Sequence, residues 1–338
     1  MMRLPPFRWI EPKTVAQAVE VLAGEGPSAA LIAGGTDLLP NMKRRQQTPA
    51  VLVSLAKVPE IRGRERNTAG TWTLGAAETL RALERDAHLA SDVPALDTSV
   101  RSISTPLLRN TGTLGGNVCL DTRCNYYDQS WEWRRAIDFC MKCEGETCWV
   151  APSSPRCWAV NSSDSVPVLI ALGARVRLEG TGGDREIPVR ELFRDDGIAY
   201  LTKARDEVLT AIEIPGQGDA RSVYRKVRRR GSFDFPVAAV AVRLALDGDR
   251  VREARIVLNA VGSSPVESTA AETFLMGQRL DDDVILEAAT LAFRPAKPLD
   301  NTDHHHTWRK QRVRVEVKRA LQDLHEAFAT PNPASGAA

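Results

Sequence analysis

The chain has 338 residues, enough for two or three segments that each bury a core. Lys and Arg number 45 against 43 for Asp and Glu, so a net charge of +2 argues against the basic field that nucleic-acid binding needs. The sequence has no run of about 18 apolar residues, the length that a membrane-spanning helix needs, and residues 1–14 lack the apolar centre of a signal peptide. We therefore expect a cytoplasmic protein with no nucleic-acid or membrane partner.

We expect residues 1–60 to form an α/β lobe. Apolar residues recur at helical spacing over 15–22, which predicts an amphipathic helix. Short apolar runs at 29–33 and 51–55 predict two strands, and the Gly34-Gly35 turn follows the first of them. The order helix, strand, glycine turn, strand is typical of a small α/β unit.

Residues 61–216 are expected to form a second lobe that contains an irregular stretch. Strands are predicted at 71–77, 174–178 and 208–214, and helices at 80–89 and 166–172. Between these elements lie a glycine-rich turn at 107–118 and then a long stretch without regular apolar spacing. The Pro215-Gly216 pair marks the predicted end of this lobe.

Residues 217–330 are expected to form a third domain of strands followed by helices. Strands are predicted at 222–227, 237–246 and 255–261, and helices at 284–292 and 308–327. The small residues at 331–338 predict a disordered tail. His304, His305 and His306 stand together before the last helix, where we interpret them as a loop or helix cap and not as a metal site.

Two glycine-rich turns are candidate ligand sites. One reads AGGTDL at 33–38 and the other TGTLGGN at 111–117. Glycine allows backbone N–H groups to approach an anion closely. Neither turn matches the G-x-G-x-x-G dinucleotide pattern or the P-loop, which requires Gly-Lys-Ser/Thr. Taken singly, each turn is better explained as a simple tight turn.

All six cysteines fall within a short window of the chain. They stand at 119, 124, 140, 143, 148 and 157. In a reducing compartment, such clustering favours a metal site over disulfides. Zinc in an all-cysteine site usually shows two close pairs, but only Cys140 and Cys143 form a C-x-x-C here, whereas iron–sulfur clusters tolerate wider spacings.

The two turns resemble a known family when they are combined with NSSD at 161–164 and YRKVRRRGSFDFP at 224–236. From about residue 7 to 324, the chain resembles the FAD-binding subunits of the molybdenum hydroxylases. The resemblance implies an α+β fold: a two-lobed FAD-binding domain of the PCMH or vanillyl-alcohol-oxidase type, then a C-terminal domain of antiparallel sheet plus helices. It implies FAD contacts from the following residues: Leu31, Ile32, Ala33, Gly34, Gly35, Thr36, Asp37, Leu38, Ile103, Thr113, Leu114, Gly115, Gly116, Asn117, Asp164 and Lys226.

Two of these assignments have plain structural alternatives. Asp164 precedes the helix predicted at 166–172, where an aspartate is a common N-cap. Lys226 stands in a basic run that would be expected to face solvent. The resemblance, and not the local pattern, favours their role at the cofactor.

The cysteine window departs from most of the family, in which the second glycine turn is followed closely by the aspartate. Within the family, the branch of 4-hydroxybenzoyl-CoA reductases has a cysteine-bearing insertion here that holds a [4Fe-4S] cluster. The resemblance assigns this role to 119–160, with ligands at spacings of 16, 8 and 9 residues: Cys124, Cys140, Cys148 and Cys157. Sequence proximity alone would instead favour Cys143 over Cys124 or Cys157.

Aromatic and basic residues also gather in this window. They include Trp131, Trp133, Trp149 and Trp158, together with Arg134, Arg135 and Lys142. We interpret the tryptophans as an apolar shell around the metal site. A docking surface for an acidic electron carrier, formed by the three basic residues, is the alternative.

The resemblance implies an electron-transfer subunit with no catalytic residue of its own. Electrons would pass from a ferredoxin-like donor through [4Fe-4S] and FAD to a [2Fe-2S] small subunit and a molybdenum-cofactor large subunit, in a dimer of heterotrimers. The reaction implied is reductive removal of the ring hydroxyl of an aromatic acyl-CoA. Two alternatives stay open: an FAD subunit for another aromatic or N-heterocyclic substrate, and a zinc-stabilised scaffold protein.

Overall fold

Three β-sheets, each from its own stretch of the chain, organise residues 3–329, which this computed structural model describes. Their strands lie within residues 8–54, 64–214 and 221–267. The boundaries predicted near residues 60 and 216 fall between the sheets, and the predicted tail at 331–338 lies outside the described residues. No helix among the described residues is long and apolar enough to cross a bilayer.

The first lobe is a parallel three-stranded sheet with helices, in the strand order β1-β3-β2. Its elements are β1 (Arg8–Ile10), α1 (Val15–Glu25), β2 (Ala29–Ile32), α2 (Leu38–Lys43) and β3 (Val51–Ser54). Helix α1 begins where the Thr14 side chain accepts the N–H of Gln17, and it ends at Gly26, whose φ is 55°. The predicted helix and two strands are confirmed, whereas β1 and α2 are too short to give a periodic signal.

The second lobe contains an antiparallel sheet in the order β4-β5-β8-β6-β7. Its strands are β4 (Arg64–Arg66), β5 (Trp72–Gly75), β6 (Arg175–Glu179), β7 (Arg185–Pro188) and β8 (Val208–Ile214). Its helices are α3 (Leu80–Glu84), α4 (Ala87–Asp92), α5 (Pro94–Ser102), α6 (Pro106–Arg109), α7 (Leu114–Val118), α8 (Trp131–Ala136) and α9 (Ser165–Ala171). The single helix predicted at 80–89 is wrong, because the Asp86 side chain accepts the N–H groups of His88 and Leu89 and begins a new helix.

The third domain is an antiparallel sheet in the order β12-β11-β10-β9, packed against helices. Its strands are β9 (Arg221–Val227), β10 (Ala238–Asp247), β11 (Arg250–Asn259) and β12 (Val266–Glu267), and its helices are α10 (Thr269–Leu275), α11 (Asp282–Ala292) and α12 (His306–Ala329). Gly248, with φ of 58°, makes the tight turn between β10 and β11. The strand predicted at 255–261 therefore begins earlier than expected, directly after this turn.

The second lobe and the third domain share one hydrophobic core. Tyr224, Ala239 and Val257 of the third domain belong to the same buried cluster as the second-lobe sheet. Every residue of α9 is buried at this junction. The segment just before α9 is therefore held rigidly, between the irregular cysteine stretch and the common core.

Candidate cofactor sites

A cavity of about 400 Å³ lies where the first two lobes meet, and we call it the flavin cavity. The turn after β2 and the turn before α7 both face it, so the two glycine-rich motifs come together from different lobes. Most of the residues predicted to bind the cofactor line it: Leu31, Ile32, Ala33, Gly34, Gly35, Thr36, Asp37, Leu38, Ile103, Thr113, Gly115, Gly116 and Asn117. Leu114 does not, because its side chain is buried in the core.

The two glycine turns approach each other more closely than any side chain would allow. A Cβ on Gly34 would lie 2.0 Å from the carbonyl oxygen of Thr111. A Cβ on Gly115 would lie 2.8 Å from both the Cβ and the carbonyl oxygen of Ala76. Gly34 is required for the two lobes to meet, whereas Gly115 is required for α7 to pack against the end of β5 within the second lobe.

The second turn is fixed by hydrogen bonds from both of its ends. The Thr113 hydroxyl accepts the N–H of Gly116 at 3.1 Å and caps α7. The Asn117 Oδ1 accepts the hydroxyls of Ser163 at 2.8 Å and Ser165 at 2.7 Å. Asn117 thereby ties the glycine turn to the start of α9.

Asp164 and Lys226 bind each other and do not line the flavin cavity. Lys226 Nζ lies 2.8 Å from Asp164 Oδ2, and the Tyr224 hydroxyl donates to Asp164 Oδ1 at 2.6 Å. Burial raises the pKa of the Asp164 carboxyl and lowers the pKa of the Lys226 ammonium. Asp164 stands at the N-cap of α9 without a capping side-chain bond. Contact of this pair with a cofactor stays a prediction.

The pair instead holds the backbone beside Ile103. Lys226 Nζ donates to the carbonyl of Ser102 at 3.0 Å. Arg109 Nη1 donates to the carbonyl of Ile103 at 2.7 Å, and the N–H of Phe233 donates to the carbonyl of Ser104 at 3.3 Å. Three successive carbonyls are thus held, and this fixes how Ile103 and Ser104 face the cavity.

Sequence reasoning missed several residues of the flavin cavity. Asp121, Tyr200, Lys203, Arg205 and Phe235 all line it. Asp121, Tyr200, Lys203 and Arg205 stand in loops without a recognisable motif, whereas Phe235 stands in the 224–236 segment that carries the resemblance but was not assigned a cofactor contact. Lys203 and Arg205 are the kind of basic side chain that pairs with phosphate oxygens. Burial lowers the pKa of the Lys203 ammonium.

The four cysteines nominated as metal ligands line a second, smaller cavity, which we call the cysteine cavity. They are Cys124, Cys140, Cys148 and Cys157. Each is at most 7% exposed, and burial raises the pKa of Cys124 to about 12 and that of Cys157 to about 11. Tyr126, Tyr127, Met141, Trp149 and Val150 supply much of the remaining lining. Buried thiols around one space are a suitable donor set for a soft metal centre.

The two spare cysteines lie outside this set. The Cys143 sulfur accepts a hydrogen bond from Arg134 Nη1 at 2.8 Å and does not line the cysteine cavity. Cys119 lines the flavin cavity. Sequence proximity would have selected Cys143, but its sulfur is bonded to Arg134 and it is not among the residues that line the cysteine cavity.

Two of the three basic residues considered for a docking surface are buried. Arg134 is 0% exposed and donates to the carbonyl of Arg44 at 2.7 Å as well as to Cys143. The Lys142 side chain is 6% exposed. A docking surface built on Arg134, Arg135 and Lys142 is therefore wrong, because two of them point into the protein.

The histidine triplet lies at the start of α12, as expected for a loop before a helix. Asp300 Oδ1 accepts the N–H of His306 at 3.2 Å. Side-chain donor atoms of Asp300, His305 and His306 also lie within 4.8 Å of one another, on a surface that is largely exposed. The acidic side chain acts as the helix cap.

Comparison with known proteins identifies the family of this chain. The sequence pattern described as the FAD binding domain in molybdopterin dehydrogenase matches residues 5–217, and that of the CO dehydrogenase flavoprotein C-terminal domain matches 201–324. The carbon monoxide dehydrogenase medium chain of Afipia carboxidovorans is 29% identical, over 94% of this chain and 96% of the relative. The 6-hydroxypseudooxynicotine dehydrogenase complex subunit alpha of Paenarthrobacter nicotinovorans is 26% identical, over 97% and 98%.

A solved structure supports the same conclusion. A chain of carbon monoxide dehydrogenase from Hydrogenophaga pseudoflava superposes with a TM-score of 0.79 at 26% identity, covering 95% of this chain and 98% of that one. The mixed α/β FAD-binding domain and the C-terminal domain are thus both present in full. The chain belongs to the FAD-binding medium subunits of the molybdenum hydroxylase family.

Proposed function

We propose that the chain is the electron-transfer subunit of a molybdenum-dependent reductase of the 4-hydroxybenzoyl-CoA reductase type. In this proposal the flavin cavity binds FAD, and Cys124, Cys140, Cys148 and Cys157 bind one [4Fe-4S] cluster. One observation carries it: the four thiols line a single buried cavity beside the flavin cavity. A second redox centre beside the flavin gives electrons a route through this subunit.

The residues of the flavin cavity fit FAD. The glycine turns expose backbone at one end of the cavity, and Lys203 and Arg205 supply positive charge for a pyrophosphate. Leu38, Ile103 and Phe235 supply apolar contacts of the kind that shield an aromatic ring. When bound, FAD accepts and releases electrons one or two at a time. The chain's own task is to orient the cofactor and exclude water.

The positions of the four thiols bear on the choice between a cluster and a single zinc ion. Sulfur atoms that bind one zinc at about 2.3 Å lie about 3.8 Å from one another. Among residues 3–329, the group of three or more potential ligands with donor atoms mutually within 4.8 Å consists of Asp300, His305 and His306, and it includes no cysteine sulfur. As placed, the four thiols therefore do not form a single-zinc site.

In the proposed complex, a low-potential, ferredoxin-like donor reduces the cysteine-bound centre. Electrons then reach FAD and leave to a [2Fe-2S] small subunit and a molybdenum-cofactor large subunit, in a dimer of heterotrimers. The molybdenum subunit performs the reductive removal of the ring hydroxyl from 4-hydroxybenzoyl-CoA. All six cysteines of this chain are unpaired, which suits a reducing, cytoplasmic compartment.

The test is metal and flavin analysis of the complex purified under anaerobic conditions. We expect one FAD, about four iron and about four sulfide per chain after the clusters of the partner subunits are subtracted. Reduction with dithionite should give an EPR signal beyond those of the partner [2Fe-2S] clusters. A complex that contains FAD but no extra iron would exclude the [4Fe-4S] cluster from the proposal. A complex that contains zinc and no flavin would overturn the whole proposal.

A hydroxylase acting on another substrate is the second candidate, and the relatives favour it. Their names refer to carbon monoxide and 6-hydroxypseudooxynicotine, so full-length similarity extends to enzymes with different substrates. The complex should be supplied with 4-hydroxybenzoyl-CoA and a reduced low-potential donor. Formation of benzoyl-CoA supports the reductase. No dehydroxylation, together with oxidation of an aromatic or N-heterocyclic substrate, supports the hydroxylase.

A further inference from the structure

A hydrogen-bonded pair of side chains joins a residue of the flavin cavity to a residue of the cysteine cavity. Asp121 lines the flavin cavity and Lys142 lines the cysteine cavity. Lys142 Nζ lies 2.8 Å from Asp121 Oδ1. Tyr200 lies on the flavin side and Tyr127 on the cysteine side. We call these four residues the dividing wall.

Every proton of the Lys142 ammonium has an acceptor. Besides Asp121, it donates to the hydroxyl of Thr122 at 2.7 Å and to the carbonyl of Gly197 at 2.6 Å. The nitrogen also lies 4.8 Å from the ring centre of Tyr127 and 5.5 Å from that of Tyr200. The positive charge is therefore fixed in one place.

Both oxygens of the Asp121 carboxylate likewise accept hydrogen bonds. Its Oδ1 accepts the N–H of Thr122 at 2.8 Å in addition to the lysine. Its Oδ2 accepts Gln47 Nε2 at 2.8 Å and the Tyr127 hydroxyl at 3.2 Å. Gln47 lines the flavin cavity and Tyr127 the cysteine cavity, so one carboxylate bonds to side chains of both.

The Lys142–Asp121 pair is shielded from solvent, which strengthens its electrostatic effect on both cavities. The side chains of Asp121 and Lys142 are each 6% exposed. A buried ion pair adds little net stability, because the cost of desolvation offsets the attraction. Its field on nearby groups is large, since little water screens it. Lys142 also stands between Cys140 and Cys143 in sequence.

We propose that the Lys142–Asp121 pair is the contact across which electrons pass between the two cavities, and that the Lys142 charge favours reduction of the cysteine-bound centre. This inference rests on the proposed function. In each crossing, the cysteine-bound centre loses one electron and the flavin gains it. Two crossings and two protons from solvent complete reduction of the flavin. The electrons come from the low-potential protein donor.

The test compares Lys142→Met with Lys142→Arg, which keeps the charge. Iron, sulfide and flavin are measured in each purified complex, and both centres are titrated by EPR and flavin absorbance. We expect Lys142→Met to lower the potential of the cysteine-bound centre by at least about 59 mV, a tenfold change in its one-electron equilibrium. Flavin reduction by a reduced, ferredoxin-like protein donor should slow at least tenfold in Lys142→Met, whereas Lys142→Arg stays close to wild type.

Asp121→Asn provides a second variant that keeps the shape of the pair. It removes the negative charge that faces the flavin cavity, so the flavin potential should rise while iron stays bound. The inference is overturned if Lys142→Met retains iron and flavin with unchanged potentials and an unchanged rate. If Lys142→Met loses its iron, an unchanged flavin potential in Asp121→Asn overturns it instead.

The two proposals fail in different ways. A wild-type complex without extra iron defeats the proposed cluster, whatever the variants do. The inference about the dividing wall is then overturned with it, because no second centre is present to exchange electrons with the flavin. A wild-type complex with full iron and flavin, but with variants that behave as wild type, defeats only the role of the wall.

Discussion

Replacing Gly34 by alanine tests whether the close approach of the two glycine turns creates the flavin cavity. The added Cβ would lie 2.0 Å from the backbone oxygen of Thr111. A contact of 3.0 Å is restored only if the turns separate by about 1 Å. Backbone cannot rotate away as a flexible side chain does, so the lobes themselves must shift.

The free-energy cost of such a shift comes from the packing that it disturbs. Inserting a methyl group into a close-packed site typically costs about 1–3 kcal/mol. If the shift occurs at the cofactor contacts, the Kd for FAD rises by about 5- to 150-fold. We therefore expect Gly34→Ala to fold but to retain FAD poorly.

The assay is FAD binding to the deflavinated protein, followed by flavin fluorescence, together with thermal unfolding. Gly182→Ala is the matched control, because no atom lies within 4 Å of where its Cβ would be. It should bind FAD as the wild type does. A Gly34→Ala protein with wild-type FAD affinity would refute the reasoning, and a lower Tm with unchanged affinity would show that the strain is relieved away from the cofactor.

Four further substitutions probe the cysteine cavity and the buried charges. Cys148→Ser should lose iron in metal analysis, whereas Cys143→Ser should keep it, because the Cys143 sulfur faces Arg134 and not the cavity; equal iron in both would contradict the ligand set. Burial opposes ionisation of Glu84, but the hydrogen bonds and charges of Arg109 and Arg81 outweigh it and lower the Glu84 pKa. The ionised Glu84 therefore stabilises the folded protein fully above pH 4.5, and this contribution is lost as the pH falls through the lower pKa of the folded state. Glu84→Gln should therefore unfold about 3 kcal/mol more easily in urea at pH 7, with a difference that narrows in acid. Asp164→Ala leaves Lys226 buried without its partner, and urea unfolding should show a loss of about 3–5 kcal/mol.

The parts of the flavin cavity that sequence predicted are those with a local backbone cause. Gly34, Gly35 and Gly115 are needed where chains approach closely, and glycine-rich turns record that need in the sequence. Ile103 was assigned from the family resemblance, and the structure places it in the lining. Lys203 and Arg205 were missed because they come from a loop near β8, and nothing local distinguishes them from surface charges.

Burial of charged residues could not be predicted from the sequence. Arg134 and Lys142 are long basic side chains of the kind usually found in solvent. Their burial depends on carbonyl oxygens far away in the chain, at Arg44 and Gly197. Lys226 stands in a basic run that suggested exposure to solvent, but it is buried and pairs with Asp164, and its contact with the cofactor stays a prediction. Such contacts are properties of the assembled fold.

The cysteine insertion depends on other parts of the chain for its structure. Its own buried apolar group is small: Cys124, Tyr127, Cys140, Cys157 and Ala159. Most of its anchoring is polar, because Arg134 donates to the carbonyl of Arg44 at 2.7 Å and Gln46 Nε2 donates to the carbonyl of Tyr127 at 2.6 Å.

Three of those five buried residues are thiols proposed as metal ligands, so a bound centre would replace the missing core. Metal–ligand bonds that form only in the folded state contribute directly to folding free energy. Removing the centre should therefore loosen residues 119–160 before either lobe unfolds. The contacts of the dividing wall would be lost at the same time as residues 119–160 loosen. Lys142 belongs to the insertion, and Asp121 receives one of its hydrogen bonds from that lysine. The segment proposed to hold the second redox centre thus also lines one side of the flavin cavity.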